Sequence, residues 1–539
     1  MRAHRPGTLR GPDDRERTMS YRVVWFKRDL RLQDHAALTH AAKQGPVLCL
    51  YIVEPGLWTL PDAARQHFEF VRESLTELHL ELQALGGRLE VRHGSAVEVL
   101  ANLFANAPFA ELVSHEETGN AFTYDRDQRV GAWCQSQGLR WTEWPQFGVV
   151  RRLKSRNTWQ ASWEAHMAAP QAEWTELEFV ALPDSTGPEA MDLPLGLTHN
   201  PRHRQRGGRR LAEQTLHEFL NFRAQEYRGG ISSPLSSPTA CSRLSAYLAW
   251  GCISLREVVQ STRATLDRLP PTAQRHRAGL IGFVSRLYWH CHFIQKLESE
   301  PEIEWCNMHR GYDGLRENDW NPEHFRALTS GRTGWPMVDA CVVMLRETGW
   351  LNFRMRAMLV SVAAYPLWLD WRPVGQWLAT QFLDYEPGIH WSQLQMQSGT
   401  TGINTTRVYN PIKQAKDHDP KGIFVRRWLP HMRRVPDAWL FEPWRMPPEV
   451  QLQCGLRVGA GDDADIPEPL VDLAEATRNA KAALHARRAE PEVKAAKKTV
   501  IDKHASRQKT QRPQRHPRSQ RAQQQDRAAS PNPQLGFDF

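Results

Sequence analysis

Long apolar runs are missing from this sequence. No stretch in its 539 residues approaches the roughly 20 apolar residues that cross a bilayer, and the amino terminus has no apolar segment of the signal-peptide kind, so a cytoplasmic protein that avoids membranes is expected. Paired cysteines are missing too. The eight cysteines, Cys49, Cys134, Cys241, Cys252, Cys291, Cys306, Cys341 and Cys454, contain no C-x-x-C, which argues against a disulfide framework. His290, Cys291 and His292 are metal-ligand types, but three successive residues of a helix point in different directions, so no metal is expected there. The first apolar run is not followed by G-x-G-x-x-G, which excludes the standard dinucleotide-binding turn. Acidic residues thin out at one end: residues 477–539 hold fifteen Lys and Arg against five Asp and Glu, enough to account for the whole net charge of +9.

Residues 1–20 are polar and Arg-rich without periodicity and read as an N-terminal extension, with Met19 the expected working start. From Tyr21 short apolar runs alternate with amphipathic stretches: VVWF (23–26), VLCLYIV (47–53), LEVRH (89–93), ELVSHE (111–116) and RWTEWP (140–145). Apolar runs of strand length separated by helical segments predict βαβ units, hence an α/β Rossmann-like domain over 21–150 with a parallel sheet covered on both faces. Pro183, Pro188, Pro194 and Pro201, with RHRQRGGRR, mark 151–210 as a linker running over the surface. Residues 211–450 read as successive helices, Ser254-x-x-Glu257 being a capping-box start, and an all-α domain is expected there. Residues 451–539 read as a basic, mostly disordered tail, because after about residue 475 Ala, Lys, Arg and Gln dominate and bury too little apolar surface to offset chain entropy.

Residues 331–411 stand apart. They carry GRTGWPMVDACVVMLRETGWLNFRMR, LWLDWRP, QFLDYEPGIHW and SGTTGINTTRVYNP, with Trp335, Trp350, Trp368, Trp371, Trp377 and Trp391 beside Arg354, Arg356 and Asp384. Helical cores are built mostly from Leu, Ile, Val, Phe and Ala, so this density of Trp and Arg suits a large, flat, polar-edged cofactor. YRVVWFKRDLRLQDHAAL at the start and CSRLSAYLAWGCIS in the middle complete the set. In this order, across roughly residues 21–445, the chain resembles the DNA photolyase and cryptochrome family in its first strand and loop, its flavin-phosphate loop and its flavin-pocket helices.

The CSRLS segment supplies hydroxyls and backbone donors ahead of a helix beginning near Ala246, whose dipole favours an anion such as a pyrophosphate. The resemblance implies FAD, bound by Cys241, Ser242, Arg243, Leu244 and Ser245, by Tyr227 and Arg286, and by the loop Asp384, Tyr385 and Glu386 with Arg356. Arg356 and Asp384 are implied as an ion pair beside the reactive ring edge, and a buried arginine does need a carboxylate. Cys241 stands where the family usually has Thr, and Glu386 where it has a second Asp. Also implied is an electron relay of Trp391, Trp371 and Trp320 as proximal, middle and distal members, although core packing is the ordinary role of a buried Trp. SHEETGNAFTYDRDQRV (114–130) resembles the segment beside the family's light-harvesting chromophore, which here is a folate, a deazaflavin, another flavin or none.

On the substrate side the sequence departs from the pattern. The cavity that receives flipped, damaged bases usually carries Glu, Trp, Asn and a second Trp, which align here with Gly282, Ser285, Phe353 and Leu394. No Asn occurs in 385–390, and His390 is the candidate proton donor. Arg354 and Arg407 match arginines near the DNA backbone, and Lys413, Lys416, Lys421, Arg426 and Arg427 extend a basic rim suited to phosphates. The terminal QLGFDF resembles peptides with which bacterial repair proteins bind the replication sliding clamp. The function implied is that of a deoxyribodipyrimidine photolyase-like lyase, monomeric and acting on UV-damaged DNA. Excited reduced flavin would pass an electron to a flipped pyrimidine dimer. The alternative is a cryptochrome-type blue-light receptor without repair, which the altered cavity favours.

Overall fold

The computed structural model describes residues 21–403, 407–461 and 463–506. The N-terminal extension and the clamp-like QLGFDF lie outside the described residues. Each of the five apolar runs forms a strand: β1 (Arg22–Phe26), β2 (Val47–Val53), β3 (Leu89–His93), β4 (Glu111–His115) and β5 (Arg140–Trp144). They make one parallel sheet in the order β3-β2-β1-β4-β5, with Val24 opposite both Cys49 and Val113. All seven residues of β2 are buried, as a parallel sheet covered on both faces requires. One face, with Trp25, Leu50 and Leu112, packs under helices that include α1 (Ala121–Ser136). The other is continuous with the helical half: Phe26 and Cys49 share a core with Phe70, Tyr247 and Phe283. The two halves are therefore held together by a common apolar interior.

The expected surface linker is partly wrong. Residues 156–168 form a helix, α2 (Arg156–Ala168), that buries Trp159, Trp163 and Met167. Those three recur every fourth residue, a helical period that the surrounding prolines obscured. Further on, the backbone of Glu178 and Val180 hydrogen-bonds Val47 at 2.8 and 3.0 Å, so this segment also docks on the sheet.

Among the described residues the second half is helical, apart from a two-residue parallel ladder between Val458–Gly459 and Ile466–Pro467. Its framework is α3 (Leu255–Arg268), α4 (Gln274–Ser299), α5 (Pro336–Thr348), α6 (Phe353–Ala364), α7 (Trp371–Gln381), α8 (Pro387–Ser398) and α9 (Pro411–His418). Both halves of the Ser254–Glu257 capping box are present at the start of α3. Proline opens α5, α8 and α9, and left-handed Gly349 and Gly399 close α5 and α8, the usual asymmetry of helix ends. At Gly388 an added Cβ would lie 2.6 Å from the Ile294 Cα, so glycine is what lets α8 approach α4. Among the described residues no helix is long and apolar enough to cross a membrane.

The tail also differs from expectation. Residues 473–504 form two helices, α10 (Leu473–Ala489) and α11 (Pro491–His504), and bury Ala480, Leu484, Val493 and His504. Few apolar residues sufficed because the rest of the contact surface, including Tyr312 and Tyr365, comes from the helical half.

Candidate functional site

The Cys241–Leu244 loop leads into a helix of only five residues, Ser245–Ala249. The extended dipole expected there is absent, and side-chain cations take its place. Arg223 ends a π-helical turn, Phe219–Arg223, and donates to the carbonyls of Cys241, Thr239 (3.2 Å) and Ser242 (3.1 Å). Arg243 adopts φ 64°, a conformation uncommon outside glycine, and lays its guanidinium 3.8 Å from the centre of the Trp350 ring. Burial lowers the Arg243 pKa to about 10 and pushes the Cys241 thiol up to about 11, so Cys241 is neutral. Tyr227, whose hydroxyl burial also drives upward, shares a hydrogen bond with Arg286.

Facing this loop, Arg356 Nη2 donates to Asp384 Oδ2 at 2.8 Å, while its Nε donates to the Leu351 carbonyl at 2.6 Å. Burial would raise the Asp384 pKa, but the Arg356 charge and hydrogen bond hold it below the usual carboxylate value. Arg243 Nη1 and Asp384 Oδ1 are buried without a hydrogen-bond partner in the protein. Leaving such an atom unsatisfied costs about 1–3 kcal/mol, which a ligand bearing both acceptors and donors would remove. These residues fit a flavin dinucleotide: cations for its phosphates, an acid–base pair for the ring's polar edge, and aromatic walls.

Tyr385 and Glu386, expected among the cofactor contacts, turn their side chains the other way. The Tyr385 hydroxyl donates to Asp62 Oδ2 at 2.7 Å, and Glu386 lies 3.4 Å from Arg28, both partners belonging to the first domain. Arg28 also donates to the carbonyls of Ala249 and Tyr385, each at 2.9 Å, and stacks 4.7 Å over Trp250. Burial raises Glu386 to about 7 against the pull of Arg28. Sequence reasoning missed Arg28 and Asp62; the KRDLR motif was the available signal for Arg28. Tyr385 thereby closes a cavity walled by Trp58, Asp62, Glu117, Arg126 and Trp250. It opens at the carboxyl ends of β1, β2 and β4, where open α/β sheets bind ligands. Arg126, from the 114–130 motif, is held there by Glu54 (3.1 Å), Glu117 (2.6 Å) and Asp127 (2.8 Å).

Trp391 and Trp371 are both buried and meet edge to face, with ring centroids 5.9 Å apart. The Trp371 indole donates to Asn307 Oδ1 at 2.8 Å, and Arg372 lies 4.7 Å over the ring. Trp320 stands at the surface on Phe325, and among the described residues no ring contact joins it to Trp371. Gly375 was missed. A Cβ there would fall 2.5 Å from the Trp391 ring and 2.6 Å from Leu394, so only glycine lets the indole seat against α7. Leu394, aligned with the lesion cavity, is instead core packing at 2% exposure, whereas Phe353 is 45% exposed and Gly282 and Ser285 are half-buried. His390 Nε2 donates to the Gly375 carbonyl at 2.9 Å, and burial lowers its pKa to about 4. A neutral imidazole with its N–H already committed is poorly placed to lend a proton, contrary to the role expected for it.

Much of the basic rim is answered locally. Lys413 pairs with Asp417 (3.0 Å), Lys416 with Glu442 (3.5 Å) and Arg426 with Asp437 (2.6 Å). Exposed pairs of this kind are weak and can exchange for phosphates. Arg354 is half-buried near the start of α6, and Arg407 is exposed. Sequence reasoning also missed the buried triad at the exit of β1, where Asp29 Oδ2 accepts a hydrogen bond from His115 Nδ1 at 2.7 Å and lies 3.0 Å from His35 Nε2. His35 Nδ1 accepts the Leu38 N–H, so its Nε2 carries the proton and faces the Asp29 carboxylate.

Comparison with known proteins gives a consistent picture. Residues 22–151 match the family model described as DNA photolyase, and residues 283–486 match the FAD binding domain of DNA photolyase. The deoxyribodipyrimidine photo-lyase of Vibrio cholerae serotype O1 is 28% identical over 456 residues, covering 79% of this chain and 93% of that protein. Cryptochrome DASH of Gloeobacter violaceus is 27% identical over 489 residues, covering 84% and 93%. Among solved structures, the archaeal photolyase from Sulfolobus tokodaii with two FAD molecules superposes with a TM-score of 0.69 at 25% identity, over 86% of this chain and 99% of that one.

Proposed function

Because the chain belongs to the DNA photolyase/cryptochrome family and carries its FAD-binding region, we propose that it repairs UV-induced pyrimidine dimers in DNA under blue light. When bound, FAD supplies light absorption and a ring that takes or gives one electron. The protein does the rest. Arg356 and Asp384 orient the ring's polar edge, while Arg243, Tyr227 and Arg286 hold the phosphate side. Trp391 and Trp371 stand as successive electron donors, and Arg354, Arg407 and Lys413 draw backbone phosphates with an affinity that falls with salt. The cavity closed by Tyr385 is the seat of a second chromophore.

The observation that carries this reading is the 2.8 Å pair of Arg356 with Asp384, immediately ahead of the helix bearing Trp391. A receptor without repair is the second reading, favoured by Gly282 and Ser285 at the cavity positions and by the burial of Leu394. Illuminating the reduced protein with a defined thymine dimer or (6-4) photoproduct, in single- and double-stranded DNA, separates the two. Loss of either lesion supports repair. Persistence of both, with flavin photoreduction intact, supports the receptor.

A further inference from the structure

We propose that Tyr385 is a redox-active tyrosine that returns an electron to oxidised Trp391 while its phenolic proton passes to Asp62, opening a second exit for oxidising equivalents toward the first domain. This rests on the reading of Trp391 as an electron donor. Tyr385 and Asp62 are each buried, at 7% exposure. The phenol donates to Asp62 Oδ2 at 2.7 Å, within the range for direct proton transfer, and the same oxygen also accepts Asn120 Nδ2 at 3.2 Å. The His390 ring meets Tyr385 edge-on at 5.1 Å and Trp391 at 4.9 Å, and the Trp391 indole is itself a neighbour of the Tyr385 hydroxyl. On the far side Tyr385 stacks on His67 (6.1 Å), His67 meets Trp250 (6.0 Å), and Trp250 stacks on Trp58 (6.4 Å). One series of π-systems thus runs from Trp371 through Trp391 and Tyr385 to the wall of the first-domain cavity.

A phenol gives up an electron readily only if its proton leaves as well, because the radical cation is a strong acid. A carboxylate at hydrogen-bond distance removes that obstacle. Burial holds the phenol protonated, with Asp62 and Glu304 adding to the effect, so Tyr385 enters the step with its proton in place. In the step the Trp391 radical cation gains an electron and becomes neutral tryptophan. Tyr385 loses that electron and its proton and becomes a neutral radical, and the Asp62 carboxylate becomes a carboxylic acid. One positive and one negative charge vanish together, which a buried site of low dielectric favours.

The test is flash photolysis and electron paramagnetic resonance on the full chain loaded with FAD. The broad tryptophanyl absorption is expected to give way to the sharper tyrosyl band, more slowly in heavy water. Tyr385→Phe and Asp62→Asn should each lose the tyrosyl signal and prolong the tryptophanyl one. Ring-deuterated tyrosine in the unaltered chain should narrow the late radical's spectrum, a readout that needs no variant to fold. A late radical indifferent to deuteration, or to Tyr385→Phe, overturns the proposal. A tryptophanyl signal with no tyrosyl successor overturns it alone, whereas no tryptophanyl signal at all overturns the electron-donor reading along with it.

Discussion

Asp384 and Arg356 hold each other in a site that neither tolerates alone. Truncation in Asp384→Ala leaves a partly buried guanidinium without its carboxylate, and removing one partner of such a pair costs about 3 kcal/mol. Both the denaturation midpoint and the FAD retained after gel filtration should fall. Trp371→Phe keeps the volume of a large ring against Trp391 but removes the more easily oxidised indole. It is expected to slow light-driven FAD reduction, followed by absorbance under blue light with an external reductant, to the part that Tyr385 sustains, and to leave FAD binding unchanged; adding Tyr385→Phe is expected to abolish what remains. The residues of this site were unevenly legible. Arg356, Asp384 and Trp371 stood in motifs, whereas Gly375 could not be singled out, because its need for a bare Cα comes from the Trp391 ring sixteen residues later.

At the scale of elements, the contact between α7 and α8 sets where the proximal indole sits. Gly375→Ala forces a methyl into that contact, and overpacking of this kind costs about 1–3 kcal/mol. A lower melting temperature together with slower photoreduction is expected, since Trp391 must move. α11 is the second such element. It buries Val493, and its last residue, His504, hydrogen-bonds Glu300 at 2.7 Å. A chain ending at Glu490 should lose about 3 kcal/mol from these contacts, seen as a lower thermal midpoint with flavin still bound. Its sequence is Ala- and Lys-rich with few apolar residues, so local composition pointed to disorder; the partner surface lies nearly two hundred residues earlier.

For the whole molecule, the buried histidines make an acid-sensitive fold. Burial lowers His67, His199, His290 and His390 to about 4 and His115 to about 3. Unfolded, these imidazoles titrate near 6.5, so below that pH the unfolded chain takes up protons that the native state refuses. Stability from this source is fully present above about 6.5 and is lost as the pH falls toward 4, by up to roughly 1.4 kcal/mol per pH unit for each histidine. Urea midpoints at pH 7.5, 6 and 5 should fall steeply in that order, and a flat series would contradict the burial of neutral imidazoles.

The sequence by itself determined the five strands, the helical second half and the capping box of α3, because hydrophobic period, cap chemistry and proline placement act over a few residues, while Arg356 and Asp384 were picked out by the resemblance of their motifs to the family. Only the tertiary structure decided which way side chains turn on a short loop. Asp384 faces Arg356, whereas Tyr385 and Glu386 reach into the first domain, Tyr385 meeting Asp62 across 323 residues. Leu394 became core and α11 folded for the same reason. A contact between distant segments depends on how whole elements pack, and no local pattern records it.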